Sequence, residues 1–227
     1  MKLRWFGQSA FLLEGAEGRV MIDPFGDTAP LRARGVPFLY PDIEGAEADL
    51  VLVTHEHADH NDTSVVGGDP AVVRLAGAHD TPVGPVLGVA SEHDTAAGTE
   101  RGPNAIFAFS LDGLRIAHFG DFGQAALRPE QRAALGEVDL VFVPAGGGPT
   151  IGGEQAAALA RELGATWIVP MHYGTPAAPF LGPLDPLVEA HGGAVRRVDG
   201  PEAEVDAAAR PDAPELLVLE PPPPVED

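Results

Sequence analysis

Residues 54–60 read Thr-His-Glu-His-Ala-Asp-His. Three of the chain's eight histidines and two carboxylates fall within the six positions 55–60. His55 and His57 are two apart, so on extended backbone both imidazoles point to one side and can chelate a single cation. Asp59 and His60 follow where the chain turns towards a possible helix, and can reach a neighbouring point in space. One segment therefore offers ligands to two adjacent metal positions. A zincin helix is excluded, because it needs a second histidine at i+4 and that position from His55 is Asp59. The competing structural reading is a solvated, histidine-rich surface loop. The chain contains no cysteine, which removes disulfides, thiol catalysis and Cys-ligated metal sites. Any metal must be held by His, Asp or Glu, a donor set that suits Zn²⁺ and tolerates Fe²⁺ or Mn²⁺.

The elements around this segment read as short strands punctuated by glycine and proline. Residues 50–53, just before it, form an apolar run typical of a buried strand. Residues 2–6, 10–13 and 19–22 predict three strands, with 14–18 as a hairpin loop. Residues 106–111 and 114–119 flank Asp112-Gly113, a strong hairpin signal. Residues 86–90 predict a strand ahead of His93, and 140–143 and 167–169 predict two more, each running into a proline. Helices are expected over 129–135, 154–163 and 184–191, each closed by a glycine. The stretch 198–214 reads as a loop, 216–219 as a returning edge strand, and 221–227 as a disordered, proline-rich acidic tail. Strands in both halves with helices between them predict an α/β sandwich, a single domain over 1–220.

The 227 residues suit one domain. Their formal net charge of −20 argues against nucleic acid and anionic membranes, which need clustered cations. No apolar run approaches the roughly 20 residues that cross a bilayer. Gly7, Gln8, Ser9 and Glu14 interrupt the apolar start, so no secretory leader is expected and a cytoplasmic location is the default. A small-molecule substrate fits this balance, and the oligomeric state is left open.

A run of motifs extends beyond the histidine cluster: Gly-Gln-Ser-Ala-Phe-Leu-Leu-Glu at 7–14, Met-Ile-Asp-Pro at 21–24, Ser-Glu-His-Asp at 91–94, Arg-Gly-Pro-Asn at 101–104, His-Phe-Gly-Asp at 118–121 and Val-Pro-Met-His-Tyr-Gly-Thr at 169–175. With His-x-His-x-Asp-His after a buried strand, this pattern resembles the metallo-β-lactamase superfamily. Within it the chain looks most like the small bacterial zinc-dependent hydrolases that include ascorbate-6-phosphate lactonase-like proteins. The resemblance implies a four-layer αββα sandwich with metals at one edge between the sheets. It implies that His55, His57 and His93 hold one ion, that Asp59, His60 and His172 hold a second, and that Asp121 bridges both. Two ions about 3.5–4 Å apart can share a hydroxide whose parent water has its pKa lowered to about 7. Asp59 would orient that nucleophile and accept its proton. The implied reaction is hydrolysis of a small ester, lactone, amide or phosphodiester.

The remaining candidates are weaker. Arg101, in the loop after His93, is a candidate anchor for an anionic group on a substrate. Asp23 is a candidate for orienting a ligand histidine by accepting its other ring proton. His118 alternates away from Asp121 along its strand, so it reads as packing or as support behind the ligands. His79 and His191 read as surface residues. Gln8 stands where the superfamily commonly shows histidine. The alternatives to a hydrolase are a non-catalytic metal-binding or sensor protein on the same fold, and di-iron redox chemistry, which would need a flavin partner.

Overall fold

The computed structural model describes residues 1–225. A first sheet opens with three antiparallel strands, β1 (Lys2–Gly7), β2 (Ala10–Gly15) and β3 (Gly18–Ile22). After helix α1 (Ala29–Ala33), strands β4 (Leu50–Leu52) and β5 (Ala71–Val73) continue it parallel to β3. A second sheet starts with the antiparallel strands β6 (Gly77–Thr81), β7 (Gly84–Glu92), β8 (Pro103–Leu111) and β9 (Leu114–His118). It continues in parallel through β10 (Leu140–Pro144) and β11 (Trp167–Met171). Helices α2 (Pro129–Leu135) and α3 (Gly153–Leu163) fall between these strands, and α4 (Asp185–His191) precedes β12 (Ala194–Val198). Strand β13 (Glu202–Glu204) returns to the first sheet beside β1, and β14 (Glu215–Leu219) inserts between β11 and β12.

The two sheets face each other across one apolar core. Leu3, Trp5, Phe11, Leu13, Val20 and Ile22 of the first sheet share it with Ile116, Phe142 and Leu216 of the second. Phe11 and Phe142 meet across the gap with ring centroids 4.6 Å apart. Every residue of β10 is buried, as befits a parallel strand covered on both faces. Its outer side is covered by α3, whose Ala156, Ala157, Ala160 and Leu163 are buried against it. Small alanines let the helix approach the sheet closely.

The sandwich is the expected one, but the outer layer of its first sheet is mostly irregular chain rather than helix. Phe6, Leu12, Met21 and Val51 are covered there by Phe25, Phe38, Tyr40 and Ile43 from the irregular segment 24–48. Pro24, Pro30, Pro37 and Pro41 break this segment, and its only helix, α1, buries no residue. Phe38 stacks edge-on against both Phe25 and Tyr40, at 5.1 and 5.2 Å.

The far end of the chain also differs from expectation. β14 is an interior strand with β11 and β12 on either side, and β12 is the edge. The stretch read as a loop over 198–214 contains β13. Within the tail read as disordered, Pro222 is buried and the Val225 N–H donates to Leu39 O at 2.9 Å; residues 226–227 lie outside those described. No helix among the described residues is long and apolar enough to cross a membrane.

Topology decides where chemistry can gather. β3, β4, β9 and β11 all end at one edge of the sandwich, and β7 runs out there as well. Chain leaving the carboxyl ends of strands forms the usual ligand crevice of α/β sheets.

Candidate metal centre

The segment after β4 is held by a buried carboxylate at the end of β3. Asp23 Oδ1 accepts the Thr54 N–H at 2.7 Å and Oδ2 accepts the Thr54 hydroxyl at 2.7 Å. Asp23 Oδ2 also lies 3.0 Å from His60 Nδ1, so it takes that ring proton and turns Nε2 inward. Asp23 occupies the left-handed region, φ +48°, which lets one carboxylate face both the strand end and the histidine. The expected helix after His60 is only one 3₁₀ turn, Thr63–Val65.

Three donor sets form around this loop; in one, Asp23–His55–His60, the carboxylate is already taken by Thr54 and the His60 ring, which leaves two others. His55 Nε2 and His57 Nδ1 are 3.0 Å apart, and His93 closes the set, with all three donor atoms within 4.8 Å of one another. His93 Nδ1 donates to Pro149 O at 3.0 Å, which leaves its Nε2 as a free lone pair facing the cluster. The second set is His60, Asp121 and His172, again within 4.8 Å. Asp121 sits where the sets meet. Its Oδ2 lies 3.1 Å from His93 Nε2, 3.1 Å from His172 Nε2, 3.4 Å from His60 Nε2 and 3.9 Å from His55 Nε2. Asp59 Oδ2 is 3.5 Å from His60 Nε2 but belongs to neither close set.

Asp121 is placed by neutral partners. Its N–H donates to Asn104 Oδ1 at 3.1 Å and its Oδ1 faces the Ser9 hydroxyl at 3.4 Å. Gly120 makes the turn possible: φ is +51°, and a Cβ there would come within 2.5 Å of Asn104 Oδ1 and Thr54 Oγ1.

The donor chemistry fits a cation. Several imidazole lone pairs converge on one carboxylate oxygen, and His60 Nε2, fully buried, has no hydrogen-bond partner among the described residues. Burial would push Asp121 up, but His172 and His60 hold it well below the usual carboxylate range. Burial works against a charged His60, yet Asp121 and Asp59 drive its pKa well above the ordinary value. His55 is pushed well below it, by burial first and then by His60. The centre thus calls for positive charge between its carboxylates and keeps the His55 ring neutral, as ligation requires.

His118 touches none of the candidate ligands. Its Nε2–H donates to Ser9 O at 3.0 Å, its Nδ1 accepts the Gly120 N–H at 3.2 Å, and its ring packs near Phe11 and Phe142. It supports the centre indirectly, by fixing the Ser9 and Gly120 turns on either side of Asp121. Burial pushes its pKa from 6.5 down to about 4. A depressed histidine contributes stability that is complete above its unfolded pKa and is lost as pH falls through the folded one. At about 1.36 kcal/mol per unit, His118 contributes up to about 3 kcal/mol. Metal-free His118→Gln should therefore lose less stability between pH 6.5 and pH 4 than metal-free wild type in urea titrations. Parallel pH dependences would contradict this role.

Beside His55 and His57 opens a cleft of about 330 Å³, lined by Arg101, Arg74, Leu75, Ala90, Pro103 and neighbours. Arg74 is committed to Glu56, with both carboxylate oxygens within 3.1 Å. Arg101 is exposed, and among the described residues no group pairs with its guanidinium. Its loop is organised by Asp94, whose carboxylate accepts the backbone N–H groups of Ala96, Gly98, Glu100 and Arg101 at 2.8, 2.8, 3.1 and 2.8 Å. His79 lies in β6 and bonds Leu75 O at 2.8 Å; His191 ends α4. Neither reaches the centre.

Sequence reasoning assigned no role to Gln8, Ser9, Thr54, Asp94 or Asn104. Asp94 did carry a readable signal, an Asx residue followed by small residues at Ala96, Ala97 and Gly98. The others act through partners distant in sequence.

Comparison with known proteins agrees with this geometry. A family model described as a beta-lactamase superfamily domain matches residues 2–172. The chain belongs to the metallo-β-lactamase superfamily. A UPF0173 metal-dependent hydrolase from Thermococcus kodakarensis is 30% identical over 207 residues, covering 77% of this chain and 85% of that protein. A crystal structure from Thermotoga maritima, described as a Zn-dependent hydrolase of the superfamily, superposes with a TM-score of 0.77. It is 30% identical and covers 96% of this chain and 97% of its own. An isothiocyanate hydrolase from Delia radicum gut bacteria, 16% identical, shares the fold at a TM-score of 0.64, over 91% of this chain and all of its own.

Proposed function

We propose that this protein is a metal-dependent hydrolase that holds two divalent ions, most simply zinc, and cleaves a small ester, lactone or phosphodiester. The observation that carries this is Asp121 Oδ2, shared between the His55–His57–His93 set and the His60–His172 pair. The names of the superfamily relatives support the reaction class. His55, His57 and His93 would hold one ion, and His60, His172 and Asp59 the other, with Asp121 between them. When bound, such ions polarise an acyl or phosphoryl oxygen and make water nucleophilic near neutral pH.

The chain's own residues do the rest. His57 is the exposed member of its set and borders the cleft, so substrate approaches from that side. Asp59, half-buried beside His60, is placed to accept a proton from the attacking water. Leu75, Ala90 and Pro103 offer the cleft an apolar wall, and Arg101 offers an unpaired cation for a phosphate or carboxylate. Long polyanions are disfavoured by the −20 balance.

The test is a turnover screen of metal-loaded protein against lactones, phosphodiesters and thioesters, with elemental analysis after desalting. Two ions per chain and turnover of at least one class are expected; one ion at saturation, or no turnover with both bound, would defeat the reading. Arg101→Ala should raise KM for an anionic substrate about tenfold or more, the worth of a charge-assisted hydrogen bond, and leave an uncharged analogue unaffected. Equal effects on both substrates would remove Arg101 from substrate binding.

A further inference from the structure

We propose that Gln8 is a positioning residue for the second ion, its carboxamide setting the Asp59 carboxylate beside His60. This rests on the two-ion reading above. Gln8 Nε2 donates to Asp59 Oδ2 at 3.2 Å, and among the described residues it is the only hydrogen-bond donor to that side chain; the nearest His60 ring nitrogen is 3.5 Å away. Asp59 sits on a turn, partly exposed, so without this bond its carboxylate is free to swing towards water. His60, Asp121 and His172 form a compact set without it. What Gln8 adds is the fourth ligand.

The protein holds Gln8 in place from several directions. The residue is 1% exposed and lies at φ +50°, a conformation that glutamine rarely adopts. Its carbonyl accepts the Trp5 indole N–H at 3.1 Å and the His172 N–H at 3.3 Å. The Trp5 ring is itself stacked between Phe11 and Tyr173. At Gly7, a Cβ would run into the Tyr40 ring, so the preceding residue cannot carry a side chain. The backbone that presents Gln8 thus also ties it to His172, a ligand of the same ion.

The orientation of the amide is informative as well. A carboxylate only accepts, so Asp59 requires the NH₂ end. That leaves Oε1 buried, with no partner among the described residues. An unpaired buried carbonyl is costly, and an amide placed only for packing would be replaced by an apolar side chain without loss. The unpaired Oε1 is accounted for where the N–H bond to Asp59 is the purpose.

The test is a competition titration of Zn²⁺ into the metal-free full chain against a chromophoric chelator. It resolves two dissociation constants in the wild type, and His57→Ala identifies which belongs to the first ion. Gln8→Leu should weaken the second step about 10- to 100-fold, the usual cost of losing a partner behind a ligand, and leave the first step unchanged. Gln8→His, which restores a ring N–H, should recover most of the loss. Gln8→Glu keeps the shape but removes the donor, so it should fail as the leucine variant does and decides the matter if that variant does not fold. Wild-type constants in the leucine and glutamate variants would overturn the inference, as would equal weakening of both steps without rescue by histidine. A wild type that binds one ion would bring down the two-ion reading and this inference together. Two wild-type ions with an indifferent Gln8 would bring down this inference alone.

Discussion

Asp121→Asn should bind at least one ion about 10²–10³-fold more weakly and lose turnover to at least the same degree. The oxygen it neutralises is the one that faces His55, His60, His93 and His172. Asparagine preserves the shape, so the loss is one of charge. Removing one partner from a buried charged cluster costs about 3–5 kcal/mol, and 1.36 kcal/mol is a factor of ten. Elemental analysis after desalting, with kcat on the best substrate from the screen, measures both effects. His191→Ala, at the end of α4 with its ring on Ala194 O, is the matched control and should be near neutral. Equal behaviour of the two variants would mean that the centre is misassigned.

Chelation should lower the melting temperature, and more so at alkaline pH. An ion present at a hundred times its Kd stabilises by about 2.7 kcal/mol. For a domain of this size that is a shift of roughly 5–10 °C per ion. The pH dependence follows from His60, whose pKa is raised well above its ordinary value. In the metal-free protein, His60 contributes stability that is complete below its unfolded pKa and is lost as pH rises through the folded one. Metal binding must displace that proton, so affinity grows with pH over the same window. The metal-free form weakens as the loaded form strengthens, and the gap between their melting curves should widen from pH 6 to pH 8. His118, whose pKa burial pushes down to about 4, lies below this window. A gap that stays constant with pH would argue against His60 as a ligand.

Legibility in the sequence followed distance along the chain. His55, His57, Asp59 and His60 share one turn, so spacing alone suggested a metal site. His93, Asp121 and His172 could be joined to it only through the family resemblance, because they converge by strand order and not by proximity in sequence. Gln8 and Ser9 stood in a quoted motif without a role, since a neutral side chain shows its purpose only through its partner, and Asp59 is 51 residues from Gln8. Among the elements, β12 and β13 escaped because Arg196, Arg197, Glu202 and Glu204 make them look like solvated loop, the ordinary disguise of an edge strand. β14 was mistaken for an edge because its neighbour β12 had been missed. The proline-broken segment 24–48 carries the outer layer of the first sheet with aromatic side chains, and no periodicity announces that.

The four bonds that Asp94 accepts from the following residues have an evolutionary consequence. A loop folded around its own first carboxylate needs little from the rest of the molecule to keep its shape. Ala96, Glu100 and Arg101 contribute only backbone N–H groups to that carboxylate, so their side chains are free to diverge while Gly98, at φ +75°, holds the turn and His93 stays anchored to Pro149. Selection can therefore rewrite the side chains of this loop as an exchangeable cassette beside the cleft while the histidine and aspartate cluster is inherited intact.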